Sequence, residues 1–142
     1  RIFGDPRYPA HLATRAAMYA ERAREAYEVL SVVPGIKVHP AQGAFYMTVL
    51  FEHGVLNGKN RLPIADPKLR DLVETQCKGA APDWTFVYQL LGSKGLCVVP
   101  LTGFYTPHPG FRFTLLETDD AKRAWIFRTL AEAITEYLES GR

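Results

Sequence analysis

A chain of 142 residues, 47% of them hydrophobic, fits one domain with a single core. Its 17 basic and 15 acidic residues leave a formal charge of +2 and are interspersed, which excludes the basic stripe of a nucleic-acid or membrane-surface binder. The two cysteines, Cys77 and Cys97, lack C-x-x-C spacing and so exclude a zinc ribbon; they suit a reducing, cytoplasmic compartment, with Cys97 expected as a core thiol.

In chain order, the first ten residues hold Asp5 and two prolines and no long apolar core, unlike a secretory signal. No membrane span follows. Because the chain opens on Arg1 rather than Met, it is expected to begin inside a longer protein or to be processed. Ile2 to Pro9 reads as an irregular lead. From Ala10 to about Leu30 there is no Gly or Pro, and Leu12, Ala16, Tyr19, Ala23, Tyr27 and Leu30 recur at helical spacing, predicting an amphipathic helix. Arg15, Arg22, Arg24, Glu25 and Glu28 fall on its solvated side, with Arg24 and Glu28 one turn apart.

Pro34-Gly35 ends that helix. Ile36 to His39 and Ala44 to Phe51 then read as two strands of a hairpin, the second one central. Glu52 to Ile64 has no period and is expected to be a mobile loop. Asp66-Pro67 opens a short helix that ends before Gly79, with Leu69, Leu72 and Val73 as its apolar stripe. Pro82-Asp83 opens another that runs to Lys94, with Gly95 as its left-handed cap.

The stretch Gly95 to Leu116 reads as strand, loop, strand: apolar runs at Leu96 to Val99 and Phe111 to Leu116, joined by a loop rich in Pro and Gly. Alternation sends Phe111, Phe113 and Leu115 to one face, and Arg112, Thr114 and Leu116 to the other. Thr118 is the expected cap of a last helix bearing Ile126, Leu130, Ile134, Tyr137 and Leu138. The order of elements is that of an α+β two-layer domain, helices packed on a small mixed or antiparallel sheet.

Arg112 is the residue whose chemistry asks for a partner. A guanidinium beside a sheet must meet water, a carbonyl group or an anion, and its planar fork matches a carboxylate. Ordinarily such an arginine lies on a solvated face or pairs with a nearby Asp or Glu. Complete catalytic patterns are missing: no G-x-G-x-x-G or Walker spacing, no G-x-S-x-G elbow, and His11, His39, His53 and His108 are too scattered for a metal face. Lys94 is expected at a helix C-terminus, where it offsets the dipole, and Lys37, Lys59, Lys68, Lys78 and Lys122 all lie in polar settings.

Pro34-Gly35-Ile36-Lys37-Val38, Gln42-Gly43-Ala44-Phe45-Tyr46, Gly95 to Pro100, Gly103-Phe104 and Phe111-Arg112-Phe113-Thr114 together resemble the C-terminal part of class I/II aminotransferases, the pyridoxal-phosphate enzymes of fold type I. Ala41 to Ala44, Ala81-Pro82-Asp83 and Leu96 to Pro100 look most similar to alanine aminotransferases. Leu101, where the family often has Gly, the loop Tyr105 to Pro109 and the longer excursion from 52 to 81 depart from the pattern.

The resemblance implies that residues 1–142 form the small domain of a longer enzyme that transfers an amino group between an amino acid, alanine being the one that the likeness to alanine aminotransferases suggests, and a 2-oxo acid. It implies that Arg112 grips the substrate carboxylate and that Phe45 lines the same pocket, although an ordinary core aromatic is an equal reading of Phe45. Pyridoxal phosphate, its lysine and its other ligands are implied in a large domain outside this chain, so no catalytic, cofactor-binding or metal residue is expected within it. The fragment alone is then expected to be inactive, and the full-length enzyme to be a homodimer. Two alternatives stay open: a lyase or synthase of the same fold, and a non-enzymatic binding or dimerisation module.

Overall fold

The computed structural model describes residues 2–142, Ile2 by its backbone only. After a short 3-10 turn come α1 (Tyr8–Leu30), β1 (Ile36–Val38), β2 (Tyr46–Phe51), α2 (Pro67–Cys77), α3 (Pro82–Lys94), β3 (Val99–Pro100), a 3-10 turn at Leu101–Phe104, β4 (Gly110–Thr114) and α4 (Asp120–Glu139). The strands form one antiparallel sheet in the order β1-β2-β4-β3. This is the α+β two-layer architecture that the sequence predicts.

One face of that sheet is covered and the other is open. Strand alternation turns Met47, Val49, Phe51, Phe111 and Phe113 inward, where they meet Ala26 and Leu30 of α1, Phe86 and Leu90 of α3, and Leu130, Ile134 and Tyr137 of α4. Phe86 centres the cluster, its ring 5.1 Å from Phe51, 5.4 Å from Phe111 and 5.1 Å from Tyr137. Each such buried aromatic contributes about 1.5–3 kcal/mol by leaving water. On the other face Lys37, Tyr46, Thr48, Val99 and Thr114 are exposed, while Leu50 and Arg112 are half-buried. The candidate site lies on that open face.

Local signals explain the element ends. Asp66 caps α2 by accepting from Leu69 N–H at 2.8 Å. Gly95 closes α3 at φ +69, a left-handed conformation that favours glycine. At Gly110, where β4 begins, a Cβ would stand 2.3 Å from the Val49 carbonyl oxygen, so the strands approach too closely there for any side chain.

Several expectations are corrected. Helix α1 starts at Tyr8, two residues early, with Pro9 in its first turn. Leu12 and Ala16 of its stripe are exposed, because the N-terminal half meets no apolar layer among the described residues. Arg22 and Glu25 leave the solvated face: Arg22 is buried and donates to the Leu115 carbonyl at 2.8 Å, while Glu25 pairs with buried Arg123 at 2.7 Å. Arg24 and Glu28 do pair on the surface.

The loop from 52 to 64 is a strap rather than a mobile excursion. Asn60 is buried and donates to the Tyr137 carbonyl, Leu62 N–H donates to Gln89 Oε1, and Leu62 and Ile64 are buried. In α2 only Val73 of the stripe is buried, since α2 packs outside α3 and away from the core. Strand β3 is two residues, not four, so Cys97 lies before it and is exposed. Asp119, not Thr118, caps α4, accepting from Lys122 N–H at 2.8 Å.

Candidate functional site

Register places Arg112 in the middle of the open face, with Thr48 of β2 opposite it on one side and Val99 of β3 on the other. Two residues before Thr48, Tyr46 shares the face diagonally, and its ring centroid is 4.5 Å from the Arg112 guanidinium carbon. From the other side the 3-10 turn brings Phe104 to 4.2 Å. The guanidinium is thus sandwiched between two aromatic faces, each contact contributing about 0.5–2 kcal/mol of cation–π attraction.

Its hydrogen bonding is incomplete. Nε of Arg112 is buried and has no partner, and no described carboxylate pairs with this side chain. A buried donor left unpaired costs about 1–3 kcal/mol, so the arrangement favours any anion that can reach it. Of the two ordinary fates of a strand arginine, an internal ion pair is absent among the described residues and solvation is partial, since the side chain is half-buried and only its Nε is cut off from solvent.

Phe45 sits one residue before β2, half-buried, with its ring 4.4 Å from Tyr46 and 6.1 Å from Tyr19. Tyr46 therefore stands between Phe45 and Arg112, and the ring contacts run from Tyr19 through Phe45 and Tyr46 to the guanidinium. Among the described residues only Ala44 and Tyr105 have a positive φ without being glycine, both at 60°. Ala44 precedes Phe45 and Tyr105 follows Phe104. Such backbone costs about 1–3 kcal/mol per residue and collects at functional sites. Tyr46, Phe104 and Asp83, whose carboxylate anchors the turn bearing Phe104, have no role in the sequence reading; the diagonal rule for cross-strand neighbours was a signal for Tyr46 alone.

A cavity of about 870 Å³ lies elsewhere, between the 52–64 strap, α2 and α3, with Arg61, Cys77, Gln89 and Tyr137 in its lining. Burial pushes the Tyr137 hydroxyl of this lining up to about 12 and the Cys77 thiol upward as well. Both stay protonated near neutrality. His11, His39, His53 and His108 are all exposed. No described group of three His, Cys, Asp or Glu side chains could hold a metal, and no described helix is long and apolar enough to cross a membrane.

No family model matches the chain, but individual proteins do. Residues of this chain are 47% identical over 140 positions to an uncharacterized aminotransferase of Methanocaldococcus jannaschii, covering 99% of the chain and 32% of that protein. They are 33% identical over 132 positions to alanine aminotransferase 2 of Xenopus tropicalis, and 35% over 119 to alanine aminotransferase 1 of Bos taurus. The chain belongs to the aminotransferase family. It spans about a third of the archaeal relative's length, and 22% and 21% of the two alanine aminotransferases. An aminotransferase of Escherichia coli shares its fold, with a TM-score of 0.56 at 21% identity over 84% of this chain and 23% of that one.

Aminotransferase chemistry implies pyridoxal phosphate, and the described residues do not fit it. Lys94 is tied to Glu136 and Lys122 to Glu117, each at 2.8 Å, and the Glu117 carboxylate raises the Lys122 pKa. Lys37, Lys59, Lys68 and Lys78 are exposed. No lysine of this aminotransferase segment sits in an apolar pocket that would leave its amine neutral and nucleophilic.

Proposed function

We propose that this chain is the small domain of a longer aminotransferase and that its share of the reaction is to grip the substrate carboxylate. The observation that carries the reading is Arg112: a guanidinium fixed between Tyr46 and Phe104, its Nε buried and unpartnered, with no internal carboxylate. An amino acid and a 2-oxo acid share one group, the carboxylate beside the reacting carbon. A planar fork held by flat rings binds that group in one orientation through two parallel hydrogen bonds. Fixing the carboxylate fixes the neighbouring carbon, which supplies proximity and orientation to the chemistry.

Phe45 and Tyr46 supply the wall on the β2 side, and their rings exclude water from the grip and so strengthen its electrostatics. The cofactor and the lysine that carries it belong to another part of the intact protein, which meets the open face of the sheet; pyridoxal phosphate supplies the electron sink there. The chain alone is then inactive. Its similarity to alanine aminotransferases makes alanine with a 2-oxo acid the first substrate pair to assay. Pairing of two full-length copies belongs to the same proposal.

The test is made on the intact protein. Absorbance beyond the aromatic region, removed by borohydride with the cofactor then found on a lysine outside this chain, together with amino transfer from alanine, is the expected result. An intact product with no such band and no transfer leaves a carboxylate-binding or dimerisation module instead. A band accompanied by elimination or condensation products points to a lyase or synthase of the same fold.

A further inference from the structure

Asp83 is wholly buried, and no cation of the described residues pairs with it. A carboxylate in that position survives only if hydrogen-bond donors surround it. Oδ1 accepts from Trp84 N–H at 3.0 Å and from the Thr102 hydroxyl at 2.7 Å, and Oδ2 accepts from Thr102 N–H at 2.9 Å and Gly110 N–H at 3.4 Å. Three of these donors come from the two residues that bracket the loop 103–109. Thr102 lies in the turn that carries Phe104, and Gly110 begins the strand that carries Arg112.

We propose that Asp83 is the positioning residue of the Arg112 grip, tying down both ends of the loop that lays Phe104 against the guanidinium. The inference rests on the reading that Arg112 takes the substrate carboxylate. Helix capping alone does not account for Asp83, because only the Trp84 bond lies within α3 and a cap of that kind works at the surface. The neighbouring Trp84 adds a second clamp: a Cβ on Gly103 would stand 3.3 Å from its indole ring. Beyond these anchors the loop turns outward, with Tyr105 fully exposed at φ 60°. Remove the anchor and that left-handed backbone relaxes, taking Phe104 off the arginine.

Asp83→Asn keeps the shape but turns one acceptor into an NH2 group facing a donor. In the intact protein we expect KM for every amino-acid substrate to rise about tenfold while kcat changes by less than about threefold. In a double-mutant cycle with Phe104→Ala the two effects overlap, the double variant binding no more weakly than the weaker single one. Thr102→Val, which removes the hydroxyl donor from the loop side, replaces Asp83→Asn if the latter does not fold, and is judged by the same criteria. Losses that multiply across the cycle, a fall in kcat without a change in KM, or unchanged KM beside a weakened Arg112→Ala variant overturn the role of Asp83 and leave the grip standing. An Arg112→Ala variant with unchanged KM removes the grip itself, and this inference with it.

Discussion

The Arg112 guanidinium carbon lies 4.2 Å from the ring centroid of Phe104, although Phe104 ends a 3-10 turn and Arg112 lies on a strand, with the loop 105–109 between the two elements opening on the left-handed Tyr105. The ring covers the guanidinium from one side while Tyr46 covers it from the other. Two flat faces leave the edge of the guanidinium as its route to a ligand, and the edge is where paired hydrogen bonds to a carboxylate form.

Phe104→Leu keeps an apolar cover and removes the π face. Loss of one cation–π contact of about 0.5–2 kcal/mol weakens binding of a simple carboxylate inhibitor by a few-fold to about thirtyfold. Titration of the intact protein with propionate measures it. An unchanged affinity separates the aromatic cover from the grip.

The buried Arg123 links α4 to α1 through Glu25, with further support from Asp120 at 2.9 Å. Glu25→Ala leaves that buried cation only the solvent-exposed Asp120 and costs about 1–3 kcal/mol in a denaturant titration. Replacing Glu25 and Arg123 together by Leu and Met costs far less, because no uncompensated charge is left behind.

Gly110→Ala places a methyl group 2.3 Å from the Val49 carbonyl oxygen and 2.8 Å from Leu101. Separation of β2 from β4 follows, with a loss of about 2–4 kcal/mol in the same titration. Gly43→Ala has nothing within 4 Å and an unexceptional φ, so it leaves the midpoint within about 0.5 kcal/mol of the parent.

The fold was legible where one local rule acts alone. Asp66-Pro67 and Gly95 mark helix ends because capping involves only neighbouring backbone, and the alternation of Phe111, Phe113 and Leu115 marks β4 because period two is a property of the strand. What escaped depends on distant partners. Arg22 reads as solvated until the Leu115 carbonyl, 93 residues away, is brought to it, and Asn60 reads as loop until the Tyr137 carbonyl, 77 residues on, receives its amide. Arg112 stood out because a charge on a strand is chemically costly; Asp83 did not, since an acid at a helix start is ordinarily a surface feature.

Glu117 gives the chain a pH dependence with a definite sign. Lys122 first, then the N–H groups of Asp119 and Thr118, hold its carboxyl at about 2, below the ordinary 4.5. A depressed folded-state pKa stabilises the fold above about pH 4.5, and that contribution is lost as pH falls towards about 2. The midpoint of thermal unfolding therefore declines across this window more steeply than in Glu117→Gln, and parallel curves contradict the assignment.

The carboxylate grip of Arg112 is read most directly from kcat/KM of the intact protein with an amino-acid substrate. Arg112→Ala is predicted to lower kcat/KM by about thirtyfold to several thousandfold, the cost of about 2–5 kcal/mol for a desolvated charge partner, with Arg112→Lys recovering part of the loss because a point charge replaces the fork. Unchanged efficiency in Arg112→Ala contradicts the account.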